Sequence, residues 1–216
     1  MLEAEREAVA AAARRLAAEG LVLGAAGNVS ARREQLVAVT PTGAILEQVA
    51  AEEIVVVDLE GRLVDGEREP TSELALHLGA YRRYGPGAVV HTHAPMATAI
   101  ACVLDELPVV HYQMLALGGP VRVAPYATFG TERLAALTLD ALTDRAAALM
   151  SNHGTIATGA DVEAAMENSL LLEWAATVYW RAAALGTPRL LDEAQIADFH
   201  ATVAARGYAP LQRTGT

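Results

Sequence analysis

Glu69-Pro-Thr-Ser-Glu-Leu-Ala-Leu-His77 and, after a Gly85-Pro-Gly87 break, Ala88-Val-Val-His-Thr-His-Ala-Pro95 set the start of a helix against the end of a strand. Pro70, Thr71 and Ser72 open a helix over 71–84 and put Glu73 in its first turn, beside backbone N–H groups that lack helical partners. The apolar run 87–90 then ends in His91 and His93. Side chains two apart on a strand point to the same side of a sheet, as two ligands of one metal must. Glu73 is one candidate partner for the pair. His153 is another, because it closes the apolar run 146–150 and precedes Gly154, where the chain can turn at the sheet's edge. Three neutral imidazoles and a carboxylate make a Zn²⁺ set in which the oxygen ligand is the natural one for a substrate to displace. Spacing alone leaves the matter open, since histidines at strand ends also serve as ordinary hydrogen-bonding groups.

Strands and helices interleave outward from this stretch. Residues 3–19 form an alanine-rich surface helix stopped by Gly20, and Gly24 to Ser30 bring glycines and Asn28 to the start of a short strand. A partner strand at 36–40 leads into the Pro41-Thr42-Gly43 turn, and 54–58 with 62–64 read as a hairpin. Past the histidines come a helix at 94–104, an extended piece at 108–111 ending in Tyr112, a strand at 121–126 and a helix at 131–142. The strand 145–152 carries His153, and 156–158 extends it past the bend. Met166, Leu170, Trp174 and Val178 recur at helical spacing in the long helix 161–185, whose aromatics suit a core or a subunit contact. A last helix spans 192–206. The hairpins exclude a purely parallel sheet, so the expectation is an α/β fold built on a mixed sheet.

With 216 residues, 53% hydrophobic and 19% charged, the chain suits one compact domain over 1–216. A net charge of -10 argues against nucleic acid and anionic membranes as partners, so an anionic substrate must be held by local dipoles. The single Cys102 excludes an intramolecular disulfide and suits a cytoplasmic setting. The opening residues lack the charge and hydropathy pattern of a signal peptide, and no run is long enough to span a bilayer. All sixteen basic residues are arginine, which excludes lysine Schiff-base chemistry. Carbanion chemistry on this chain therefore calls for a metal.

In this order, G-N-V-S, T-P-T-G, E-P-T-S-E, V-V-H-T-H-A, V-V-H-Y, A-P-Y-A-T-F-G and S-N-H-G-T-I-A resemble the class II aldolase/adducin family, most closely its L-fuculose-phosphate aldolase branch. The match runs from about Glu5 to about Asp198. It implies a central, largely antiparallel sheet between helical layers, and a cyclic homotetramer with active sites at subunit interfaces. It further implies one Zn²⁺ per subunit held by Glu73, His91, His93 and His153, acting as a Lewis acid on a small phosphorylated sugar. By the same resemblance Asn28, Gly43, Thr71 and Ser72 hold the substrate phosphate with Thr42 in support, Thr71 standing where family members often carry Ser. Glu73 would leave the metal to move protons, and Tyr112 would act on the aldehyde oxygen from a neighbouring subunit.

The activity so implied is retro-aldol cleavage of a ketose 1-phosphate, such as L-fuculose 1-phosphate, to dihydroxyacetone phosphate and an aldehyde. Pentulose-phosphate 4-epimerases share that step but carry Asp where Glu73 stands, and a phosphate-site lysine that this chain lacks. A ketose-phosphate dehydratase and a non-catalytic adducin-like interaction module are the other readings. The resemblance thins in the tail, where aromatics that enclose the aldehyde in related aldolases are matched by Ala204 and Gly207, with Tyr208 displaced by one. His77, four residues after Glu73, reads as an ordinary hydrogen-bonded helix histidine, and His111 and His200 lie outside the site.

Overall fold

In the computed structural model, which describes residues 1–207, helix α1 (Glu3–Ala18) is followed by strands β1 (Asn28–Arg33), β2 (Leu36–Val39), β3 (Val55–Asp58) and β4 (Leu63–Asp65). Helix α2 (Leu74–Tyr84), strand β5 (Ala88–Thr92) and helix α3 (Pro95–Ala101) come next. The chain continues through β6 (Glu106–Leu107), a 3₁₀ turn (Tyr112–Leu117), β7 (Val121–Ala124), α4 (Glu132–Leu142), β8 (Ala147–Met150), β9 (Gly154–Gly159), α5 (Val162–Leu185) and α6 (Glu193–Ala205). The strands form one sheet in the order β4-β3-β2-β1-β5-β9-β8-β7-β6. Among these neighbours β7 and β8 run parallel and the other pairs are antiparallel.

The period of two along each strand divides the apolar residues between two cores. Ala88, Val90, Leu149 and Ala157 face α1, α3 and α5, while Val89, Ala148, Met150 and Ile156 face α2 and α4. Helices thus cover the sheet on both sides, which explains why 87–90 and 146–150 read as unbroken apolar runs. The expected mixed α/β sheet between helical layers is the fold observed.

Two local expectations need correction. Helix α2 begins at Leu74, so Glu73 is its N-cap residue and lies outside the first turn. The cause is upstream: Pro70 bridges to Pro41 and the Thr71 amide donates to the Thr40 carbonyl, which holds this stretch extended for longer. Residues past His153 do not extend β8 but fold back beside it, pairing Met150 with Gly154. Asn152, in the left-handed region at φ 54°, and a bond from the His153 amide to the Met150 carbonyl close that hairpin. His153 therefore sits beside the middle strands of the sheet, not at its edge.

Leu149 is fully buried in the α1/α3/α5 core. Leu149→Ala should lower unfolding stability by about 2–5 kcal/mol, read as a shifted urea midpoint at unchanged slope.

Candidate metal centre and substrate cavity

The register between β1 and β5 places Asn28 opposite His91, and that between β5 and β9 places Thr92 opposite Thr155. His91 is fully buried, and its Nδ1 lies 2.7 Å from the Thr155 carbonyl oxygen. A carbonyl only accepts, so Nδ1 carries the proton and Nε2 is the atom turned to the site. His93 Nε2 lies 3.2 Å from it, and the rings of His91, His93 and His153 stand edge to face with all three centroid distances 5.0 Å. One ligand nitrogen from each histidine lies within 4.8 Å of the others.

Glu73 completes the group. Its Oε2 is 3.0 Å from His91 Nε2 and accepts from Asn28 Nδ2 at 3.0 Å; its Oε1 is buried without a hydrogen bond, 3.4 Å from His153 Nε2. Ligand atoms about 2.0–2.1 Å from a tetrahedral ion are separated by about 3.3 Å. The separations of 3.0, 3.2 and 3.4 Å match that edge, and the three histidine nitrogens lie within 4.8 Å of one another, so the group could hold a cation. Burial by itself would raise the Glu73 carboxyl, but the His91 charge and the bonds from His91 and Asn28 outweigh it and hold the group well below the usual carboxylate range. Burial, then the charges on His91 and His153, push His93 down to about 4, and His153 is lowered by burial and by His91. Burial opposes a charge on His91, but the Glu73 carboxylate and the Thr155 carbonyl raise it, so in metal-free protein it is His93 and His153 that stay neutral and expose the lone pairs a metal takes.

Glu73, His93 and His153 line a cavity of about 290 Å³ together with Asn28, Thr42, Gly43, Thr71 and Ser72. All five residues expected around a phosphate thus share a cavity with the histidine group. Gly43 holds φ +67°, a turn geometry that favours glycine and leaves its N–H unshielded by a side chain. Asn28 spends one amide hydrogen on Glu73 and keeps a second. Tyr112 is outside this cavity, half exposed at the start of the 3₁₀ turn, with its ring 4.5 Å from that of His111 and 5.6 Å from that of Phe199. The two neighbouring side chains do not diverge as in a strand, because the chain turns at Tyr112. Tyr208 lies outside the described residues.

Residues 7–180 match the model of the Class II Aldolase and Adducin N-terminal domain. The chain belongs to this family. A 5-deoxy-D-ribulose 1-phosphate aldolase of Bacillus thuringiensis serovar kurstaki is 40% identical over 197 residues, 89% of this chain and 92% of the relative. A 5-methylthioribulose-1-phosphate/5-deoxyribulose-1-phosphate aldolase of Rhodospirillum rubrum is 39% identical over 83% of this chain and 82% of its own. A solved L-fuculose 1-phosphate aldolase superposes with a TM-score of 0.88 at 32% identity, covering 93% of this chain and 96% of that one. This class II aldolase is accordingly a carbon–carbon lyase of a metal-dependent family, with a three-histidine group able to take a metal.

Sequence reasoning passed over two supports of the aldolase site. The Thr155 carbonyl, which sets the His91 ring, is a backbone atom and leaves no mark in composition. Gly154 is the second: a Cβ there would collide with the Thr92 carbonyl oxygen and come within 3.1 Å of His93 Cδ2. Its visible signal was the glycine directly after His153. Gly154→Ala should force β9 away from β5 and separate His153 from His93, lowering bound metal per subunit by half or more in elemental analysis of folded protein.

Proposed function

We propose that this aldolase cleaves a short ketose 1-phosphate, of the kind of L-fuculose 1-phosphate or 5-deoxyribulose 1-phosphate, to dihydroxyacetone phosphate and an aldehyde, with Zn²⁺ held by Glu73, His91, His93 and His153. The observation that carries the reading is the gathering of three imidazole nitrogens within 4.8 Å of one another, with the Glu73 carboxylate against two of them, beside a cavity rich in hydroxyls and N–H donors. Three nitrogen donors and one oxygen favour zinc over magnesium or calcium. The substrates named for the relatives share a ketose 1-phosphate head and differ beyond it, and the proposal keeps to that shared head.

The phosphate dianion would be received by the Thr42, Thr71 and Ser72 hydroxyls, the Gly43 N–H and the free hydrogen of Asn28. Thr71 and Ser72 directly precede the N-terminus of α2, whose positive dipole end supports an anion despite the net negative charge of the chain. In the reaction the C4 hydroxyl loses its proton, the C3–C4 bond breaks, and its electron pair moves onto the C2 carbonyl oxygen. When bound, the ion supplies Lewis-acid stabilisation of the negative charge gathering there. Glu73, once it has received the proton released from the C4 hydroxyl, delivers it to C3 and returns to the carboxylate, so the atoms balance as dihydroxyacetone phosphate plus aldehyde. A buried carboxylate with one unengaged oxygen is suited to that transfer. Glu73 in place of Asp and the absence of lysine favour cleavage over epimerisation.

Tyr112 would relay the C4 hydroxyl proton toward Glu73 from across an interface of a homotetramer, passing on its own phenol proton as it accepts the other. Its exposure and its place outside its own chain's cavity support that role. The bound ion and the products are tested together: treatment with EDTA should abolish dihydroxyacetone phosphate release from a panel containing both ketose 1-phosphates, and Zn²⁺ should restore it. Full cleavage by verified metal-free protein would refute the mechanism.

Tyr112→Phe separates the two halves of the reaction. Cleavage should fall by about 10²-fold or more, while exchange of the C3 hydrogen of dihydroxyacetone phosphate with deuterated water continues at a comparable rate by NMR. A parallel loss of both at full zinc occupancy would remove Tyr112 from the aldehyde side.

A further inference from the structure

A row of polar side chains crosses the core on the α2 side of the sheet, beginning at Glu73 and ending away from the cavity. Glu73, His77 and Tyr81 follow one another at intervals of four and so share one face of α2. Asn28 and Ser30 alternate on β1 and face them from the sheet. His77 and Ser30 are fully buried, Tyr81 nearly so and Asn28 all but 5%. The contacts run from Glu73 Oε2 to Asn28 Nδ2 at 3.0 Å, from Asn28 Oδ1 to His77 Nε2 at 2.5 Å, from His77 Nδ1 to Ser30 Oγ at 2.7 Å, and from Ser30 Oγ to Tyr81 Oη at 2.6 Å.

With His77 neutral, only one assignment of protons satisfies every member. The Glu73 carboxylate accepts, so Asn28 presents its N–H to Glu73 and its carbonyl to His77. That carbonyl also only accepts, so His77 carries its proton on Nε2 and leaves Nδ1 bare. Ser30 must then donate to Nδ1, and Tyr81, finding the Ser30 proton spent, donates to the Ser30 oxygen. Every donor leans toward Glu73. Burial foremost, then the His91 charge, push His77 down to about 3, in keeping with a neutral ring.

The row matters because the two ends of a primary amide are almost the same shape. With Asn28 turned over, its carbonyl would oppose the carboxylate. The donor on His77 Nε2 forbids that orientation, since a reversed amide would set N–H against N–H. We propose that His77, fixed as the Nε2–H tautomer by Ser30 and Tyr81, is a positioning residue that locks the Asn28 amide and through it aims the Glu73 carboxylate at the reacting centre. The proposal rests on Glu73 moving the proton, as argued above.

Two measurements test it. In metal-free protein, two-bond ¹H–¹⁵N spectra should show His77 with protonated Nε2 and bare Nδ1, and Ser30→Ala should admit the other tautomer. A native His77 protonated on Nδ1 overturns the proposal. In zinc-loaded protein, His77→Leu should lower kcat about tenfold with KM and zinc content within about twofold, His77→Gln, which restores an N–H donor, should recover at least about half of that loss, and Ser30→Ala should lower kcat about threefold. A native kcat in His77→Leu at full zinc, a fall that merely tracks lost zinc, or a Gln variant no better than Leu overturns it. If His77→Leu does not fold, Ser30→Ala decides, and a native kcat there overturns the proposal. Glu73→Gln, measured alongside, should lose about 10²-fold or more. Turnover kept in Glu73→Gln defeats the role given to Glu73, whereas an inactive Glu73→Gln with a native His77→Leu defeats only the positioning role.

Discussion

A carboxylate shut inside a protein must be compensated or it will not stay charged. Glu73 is only 7% exposed, and much of the surrounding architecture answers that constraint. Asn28 and His91 occupy one oxygen from β1 and β5, His153 approaches the other from the β8–β9 turn, and α2 presents its N-terminal end beside it. Three strands distant in sequence must pair in the right register before the charge is tolerable. The sheet order that puts β5 between β1 and β9 is therefore as much a property of the site as of the fold.

Much of this was legible in the residues. Continuous apolar runs at 87–90 and 146–150 marked two strands, and the interleaved hairpins announced a mixed sheet. The pairing of His91, on β5, with His93, just past its end, follows directly from a period of two. What local patterns could not carry was the return of the chain after His153. An apolar run with a glycine in it fits one bent strand as well as two, and only pairing across the sheet decides between them. The start of α2 was misplaced for a similar reason, because a bridge from Pro70 to Pro41 overrides the helix signal of Pro70-Thr71-Ser72.

Within the site, the candidate ligands were readable and their supports were not. Glu73, His91, His93 and His153 carry functional groups with obvious chemistry, and the structure brings them together. Thr155 contributes a backbone carbonyl, Gly154 contributes the absence of an atom, and His77 contributes a tautomer. The row 73, 77, 81 on a helix and 28, 30 on a strand was visible as spacing. Its meaning depended on knowing that α2 lies over β1.

The anchoring of His91 in β5, at the middle of the sheet and buried on both faces, has a thermodynamic corollary. Its ring is tied to the Thr155 carbonyl by the same strand pairing that builds the domain's interior, and not by any bond to an ion. The entropy of bringing His91 to the other histidines is thus spent during folding, whether or not a cation binds there. Small zinc modules whose fold appears only with metal work the other way. A cation bound there would add to stability by mass action without being needed to pair the strands.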